Sequence, residues 1–190
     1  MHNMLSLPLD AARVIELLHN TYNEVIAVTP TGYSCLGVYP REGASLEFRA
    51  FKGKFQESLR NVNEINVFSS FKPIDYVEAA LTKDLELIET PLGLGPKHWY
   101  LAIKCEVSEL GGSDPVIYEC VPREAFYRPA PPPSRSFFYV LEAAVYASRW
   151  FLKPEYVDKA VELLLEGYRL GDELDRAAVG KVLRYLMERV

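Results

Sequence analysis

The sequence predicts a mainly β protein with an α tail: a closed or nearly closed β-barrel followed by three helices. Three observations predict it. The first two-thirds of the chain consists of short apolar stretches rich in Val, Ile, Phe and Tyr, separated by turn residues such as Thr29-Pro30-Thr31-Gly32, Pro40-Arg41-Glu42-Gly43 and Leu110-Gly111-Gly112-Ser113-Asp114. The gaps leave no room for repeated crossover helices, so the strands must pair antiparallel, and closing the sheet disposes of its edges. After the stiff connector "YRPAPPPSR", Tyr127 to Arg135, the composition turns to helix formers.

The predicted strands are Glu24–Thr29, Tyr33–Tyr39, Ser45–Phe51, Asn63–Ser69, Asp84–Glu89, Trp99–Val107 and Val116–Val121. Two helical pieces interrupt them. "KFQESLRN" follows the turn at Gly53, and "PIDYVEAAL" opens on Pro73, which suits a first helical turn. Ser134 can cap a helix running to about Leu152, with Phe137, Leu141, Ala144, Val145, Ser148 and Leu152 on one face. Lys153 precedes Pro154, which disfavours continuation. A second helix runs from Pro154 to Leu170 and stops at Gly171; Asp172 caps a third, with Leu174, Ala178, Val182 and Leu186 as its apolar stripe. The expected division is a barrel domain over 1–128 and a helical subdomain over 134–190.

A hydrophobic fraction of 49% in 190 residues supports a real core, and a formal charge of -5 argues against wrapping nucleic acid by bulk electrostatics. No apolar run approaches the ~20 residues that cross a bilayer. The start, "MHNMLSLPLDAARVIELL", lacks a basic opening and is broken by Pro8 and Asp10, so it does not resemble a signal peptide. The expectation is a cytoplasmic protein that binds neither nucleic acid nor membrane. Cys35, Cys105 and Cys120 contain no C-x-x-C pair and lie in apolar strand-like stretches, which reads as small buried hydrophobes. His2, His19 and His98 show no ligand spacing, and no metal site is expected.

Against this acidic background "SLEFRAFKGKFQESLRN" stands out. Arg49, Lys52 and Lys54 surround Gly53 at a strand end, and Ser58 and Asn61 follow on the next turn. A phosphate ester needs several converging donors: exposed backbone N–H groups, the planar fork of Arg and the point charge of Lys. The same composition also suits a solvated basic turn, and neither G-x-x-x-x-G-K-[ST] nor G-x-G-x-x-G occurs.

The order "EVIAVTPTGYSCLGVY", "LEFRAFKGKFQESLRN", "INVF…PIDYVEAAL", "WYLAIKCEVSEL" and "SRSFFYVLEAAVYASR" resembles the mainly archaeal family catalogued as domain of unknown function 447, whose members have the FMN-binding split-barrel fold of flavin-reductase-like proteins. The resemblance spans roughly residues 20 to 185. Its matching positions are Glu24, the "YSCLGV" run to Gly37, the Arg49–Lys52–Gly53 turn with Ser58 and Asn61, and Arg135, Glu142 and Ser148-Arg149 in the tail. The family's Asn-Ala-Ala-Pro-like stretch is Gly32-Tyr33-Ser34-Cys35 here, and its Asp-Pro is Lys72-Pro73.

The resemblance implies FMN as cofactor and a homodimer as the assembly, with a flavin-dependent oxidoreductase of unspecified substrate as the activity. Arg49, Lys52, Lys54 and the Gly53 amide would neutralise the phosphate, helped by Ser58 and Asn61. Leu36, Gly37 and Val38 would run beside the isoalloxazine ring through their backbone groups. Arg149 is a second candidate for the phosphate or ribityl chain, its other reading being a surface arginine paired with Glu142. Gly93 to Tyr100 could form a loop over the ring, with Trp99 and Tyr100 in the barrel core or a dimer contact. The Tyr33-Ser34-Cys35 departure motivates an alternative: a homodimeric, non-catalytic interaction protein that keeps the barrel and has lost flavin.

Overall fold

The structure, a computed structural model, describes residues 7–10, 13–18 and 21–190. The readings of His2, His19 and most of the opening stretch lie outside these residues. Contacts divide the chain into two compact units, one running to Ser69 and resuming over Leu87–Pro129, the other formed by Ser70–Glu86 and Ala130–Val190.

The first unit is the barrel. Its strands are β1 (Leu7–Leu9), β2 (Asn23–Thr29), β3 (Gly32–Arg41), β4 (Ser45–Ala50), β5 (Glu64–Ser70), β6 (Leu87–Thr90), β7 (Gly93–Pro96), β8 (Trp99–Gly111) and β9 (Val116–Tyr127), with the short helix α1 (Lys54–Leu59) between β4 and β5. The main sheet runs β1-β9-β4-β3-β2-β5-β8, and β8 pairs back onto β9, closing a ring of six strands. Period-two alternation sends Val25 and Ala27, Leu36 and Val38, Leu46 and Phe48, Ile65 and Val67, and Leu101 and Ile103 into one core. Each of these large side chains contributes roughly 1.5–3 kcal/mol on burial.

Closure is incomplete in one place. β3 pairs with β4 only from Val38 opposite Phe48 to Arg41 opposite Ser45. Beyond Phe48, β4 continues against β9 alone, Arg49 facing Ile117 and Ala50 facing Val116. Among the described residues, Gly32–Gly37 therefore have a β2 partner but no β4 partner. α1 packs against β3.

Three readings need correction. Cys105 and Cys120 are fully buried, as expected, yet they are joined in a disulfide with a Cα–Cα distance of 5.2 Å, inside the usual range for such bonds. The pairing depends on the β8–β9 register, with its irregularity between Lys104 and Cys105, and no sequence spacing encodes it. Cys35 lies outside the disulfide and is only half-buried. The strand expected over Asp84–Glu89 is Leu87–Thr90, and it forms a two-stranded sheet with Gly93–Pro96, where a loop was expected.

The second unit is helical: α2 (Pro73–Val77), which continues as a wider turn over Glu78–Thr82 and ends at left-handed Lys83, then α3 (Arg135–Ser148), α4 (Glu155–Leu170) and α5 (Glu173–Met187). The expected 134–190 boundary omits Ser70–Glu86, whose Ile74, Val77 and Leu81 share a core with Val140, Leu164, Val179 and Val182. Ser134 caps α3 by accepting from the Phe137 N–H, and α3 stops at Ser148, short of Leu152. Asp172 and Asp175 form a reciprocal capping box at α5. Lys72 closes this corner by pairing with Asp172, and Ser134 Oγ donates to buried Asp175 at 2.8 Å. No described helix is long and apolar enough to cross a membrane.

Candidate functional site

Arg49 is the last residue but one of β4; the chain leaves the strand after Ala50 and turns through Phe51–Gly53 into α1. Gly53 sits at φ 153, a conformation that side chains rarely adopt, so glycine is required there. Arg49, Lys52 and Lys54 are exposed, and none has an ion-pair partner among the described residues. Three uncompensated cations thus flank one turn in a protein of net charge -5. One backbone donor is already used: the Lys52 N–H donates to Asp114 Oδ1 at 3.0 Å.

α1 carries this turn toward the far end of the β2–β3 hairpin. Ser58, one helical turn after Lys54, is half-buried and donates to the Phe55 carbonyl at 2.7 Å. Its oxygen lies 3.2 Å from Thr29 Oγ1, whose hydroxyl also reaches the Gly32 carbonyl at 3.0 Å. Asn61 is exposed past the end of α1, its N–H 3.4 Å from the Ser58 carbonyl.

Thr29 borders a cavity of about 650 Å³ on the outer face of the barrel. Val28, Gly32 and Tyr33 form one side, Ile65 and Asn66 the floor, and Pro91, Leu92 and Leu94 the roof. The roof is the β6–β7 hairpin. It is held by Asn66, whose amide donates to the Leu92 carbonyl at 2.5 Å. It is held also by Gly95, which lies so close to Phe68 that a Cβ there would be 2.5 Å from the ring. The Gly93 to Tyr100 stretch does contribute to covering this face, through β7. Trp99 is buried against Phe68, with Arg128 4.8 Å above its ring, and His98 does not line the cavity.

The expected ring-side residues Leu36, Gly37 and Val38 lie on β3 where its pairing with β4 ends. Leu36 and Val38 point into the barrel core. Gly37 faces outward but is covered by Tyr22: a Cβ on Gly37 would lie 2.1 Å from that ring. The Tyr22 hydroxyl donates to the Glu24 carboxylate, and Cys35 Sγ donates to the same group at 3.2 Å. Burial first, then the bond to Glu24, holds the Tyr22 phenol far above its ordinary value, so it remains a donor. The open space lies at Gly32–Tyr33, five residues before Gly37, where β3 still lacks its β4 partner. Arg149 is exposed at the end of α3 in the helical unit, and it pairs with no carboxylate among the described residues, Glu142 included.

The residues missed by sequence reasoning are Thr29, Asn66, Glu64, Lys104 and Glu124. Lys104 lies 3.1 Å from Glu64 and 3.8 Å from Glu124, and all three line the cavity. The hydrogen bond to Glu64 raises the Lys104 ammonium above its ordinary value. The available signal was a polar residue at an outward position of an apolar strand, as Asn66 stands within Ile65–Phe68.

No protein-family profile matches the chain, and no curated protein matches it. Solved structures do. One is an FMN-bound protein of Methanosarcina mazei from family DUF447, 19% identical, with 88% of this chain and 96% of that one aligned at a TM-score of 0.73. The fold is that of the FMN-binding split barrel. Other similar structures include an FMN-binding domain of a flavin-reductase-like enzyme from Shewanella baltica, at 12% identity, 65% and 77% coverage and a TM-score of 0.49. A third is an NADH:FAD oxidoreductase from Streptomyces globisporus, at 10% identity, 60% and 79% coverage and a TM-score of 0.47. In this barrel the stretch Gly32–Gly37 is the part of β3 left without a β4 partner, because β4 departs there toward the cationic turn.

Proposed function

We propose that this chain is an FMN-binding flavoprotein whose phosphate site is the Arg49–Lys54 turn. The carrying observation is three unpaired cations at and just beyond the end of the strand whose departure opens the edge of β3. A phosphate there gains charge-assisted hydrogen bonds from Arg49, Lys52 and Lys54, each roughly 1.5–3 kcal/mol.

The residues fit the group. Lys54 to Ser58 covers about 6 Å at ~1.5 Å per residue, so α1 links the turn to Thr29 at the cavity wall. That is the scale of a ribityl chain. The cavity beyond it has apolar walls for a planar ring, with the unpaired β3 edge alongside. Tyr22 over Gly37 moves the proposed ring position from Leu36–Val38 to Gly32–Tyr33. Bound FMN supplies electron-transfer chemistry. The chain's own residues bind and orient it, and Val28, Leu92 and Leu94 offer it apolar contact. Asn61 and Arg149 take no direct part in this arrangement.

An oxidoreductase activity, a homodimer and a cytoplasmic setting belong to the same proposal. For the dimer, Val161, Leu165 and Tyr168 form an exposed apolar stripe on α4. Leu165→Asp would then halve the mass seen by light scattering, and an unchanged mass would contradict that contact. Burial of both sulfurs keeps the disulfide out of reach of cytosolic thiols, since exchange requires access.

The test is FMN added to the purified protein, followed by visible absorbance and calorimetry. Binding should shift the flavin bands, and Arg49→Ala or Lys52→Ala should weaken it about tenfold, the loss of roughly 1.4 kcal/mol. No heat and no thermal shift with FMN in excess would contradict the reading. That result would favour the non-catalytic dimer, which Tyr22 over Gly37 and Asp114 on the Lys52 amide also support.

A further inference from the structure

The cavity wall is not uniformly apolar. Lys104 on β8, Glu64 on β5 and Glu124 on β9 stand together on the outer face, with Lys104 the least exposed at 29%. The formal sum of the three is one negative charge. Lys104 and Glu124 face each other across the β8–β9 register, and ordinary cross-strand pairs of this kind on a wet sheet contribute only ~0.2–1 kcal/mol. Here all three also border the partly open cavity, where apolar walls replace some of the water that would otherwise screen fixed charges from an occupant. The next ion pair along the sheet, Glu106 with Arg123, does not line this cavity, Glu106 bordering a neighbouring one beyond Glu64, and it provides a more distant comparison.

We propose that the Glu64–Lys104–Glu124 cluster sets the redox potential of a flavin ring held in this cavity. Lys104 favours the reduced form and the two glutamates oppose it. The inference rests on the flavoprotein reading above. Two-electron reduction of the ring raises its negative charge wherever fewer than two protons accompany the electrons. A nearby cation then stabilises the reduced form more than the oxidised one, and a nearby carboxylate does the reverse. Removing Lys104 has a double effect, because it also leaves Glu64 and Glu124 without their partner.

The experiment loads purified protein with FMN, measures the FMN dissociation constant, and then determines the potential by dithionite reduction against a reference dye. Lys104→Met should weaken binding of reduced relative to oxidised FMN about tenfold, which lowers a two-electron potential by about 30 mV. Glu64→Gln and Glu124→Gln should each move it upward by a similar factor, and Glu106→Gln should leave it in place. FMN bound normally with potentials unmoved, or moved with the opposite signs, overturns this inference and leaves the flavoprotein reading standing. Wild-type protein that does not bind FMN overturns both.

Discussion

Thr29 Oγ1 lies 3.2 Å from Ser58 Oγ and 3.0 Å from the Gly32 carbonyl, so one hydroxyl ties the end of β2 both to α1 and to the first residue of β3. The Ser58 proton is already given to the Phe55 carbonyl, so the single Thr29 proton is shared between Ser58 Oγ and the Gly32 carbonyl. This bond connects the cationic turn to the cavity wall.

Thr29→Val keeps the shape and removes the proton. The Thr29 hydroxyl is nearly buried, so the cost should be about 1 kcal/mol, or about 2–4 °C in Tm for a chain of this size. Thermal denaturation checks this. An unchanged Tm would show that the bond contributes nothing.

Gly95 and Gly180 make a contrasting pair. A Cβ at Gly95 meets Phe68 at 2.5 Å, and Phe68 is fully buried with Trp99 edge-on to it. Gly95→Ala should therefore cost about 1–3 kcal/mol by overpacking and lift the roof of the cavity. Gly180 lies within α5 with nothing within 4 Å of a Cβ, and Gly180→Ala should stabilise by up to about 1 kcal/mol. Urea titration of both variants should give midpoint shifts of opposite sign; shifts of the same sign would refute this packing.

The helical unit should respond to pH at both extremes. Burial alone would raise Asp172, but hydrogen bonds from Lys72 and from the Asp175 N–H outweigh it and hold the carboxyl below its ordinary value. Asp84 is lowered similarly, burial being outweighed by Lys181 and the Thr82 hydroxyl. Depressed carboxyls contribute stability above the unfolded value of 3.8, and the contribution is lost as pH falls through the folded value. For Lys181, burial lowers the ammonium, yet Asp84 and Glu78 outweigh it and raise it above 10.5. Its contribution is complete below 10.5 and disappears as pH rises through the folded value. Helix circular dichroism should show a stability plateau with losses at both ends, and Lys181→Met should reduce the alkaline loss, the raised Tyr22 and Lys104 accounting for the rest. An alkaline loss of full size in that variant would assign it to another group.

The Cys105–Cys120 disulfide closes a separation of 15 residues, for which the loop-entropy estimate is about 3 kcal/mol. The double variant Cys105→Ala with Cys120→Ala should melt about 6–12 °C below the wild type. Dithiothreitol should not lower it further. Equal melting temperatures for the two proteins would mean that the bond contributes no stability.

Most of the barrel was legible because residue types alternate along its strands, Leu46, Phe48 and Ala50 facing the core and Glu47 and Arg49 the other side, where Glu47 is buried against Arg41. The helical tail was legible because Ser134 and Asp172 announce their helices chemically. The cationic turn was legible as composition. What stayed hidden depends on three-dimensional register. Cys105 and Cys120 meet because β8 and β9 pair with a local shift, and Ser70–Glu86 joins the helices because Ile74, Val77 and Leu81 find their neighbours there. The cavity forms only when the β6–β7 hairpin folds onto Asn66 and Phe68, and Tyr22 reaches Gly37 from outside the strand pattern. Local alternation carries none of these long-range choices.

The most direct measurement is a calorimetric comparison of FMN with riboflavin, which lacks the phosphate, on the wild type and on the Arg49→Ala, Lys52→Ala, Lys54→Ala triple variant. If the cationic turn holds the phosphate, the wild type binds FMN at least about a hundredfold more tightly than riboflavin, a difference of roughly 2.7 kcal/mol, and the triple variant loses most of that preference. Equal affinity for the two compounds in the wild type, or a preference that survives the triple substitution, would contradict the account.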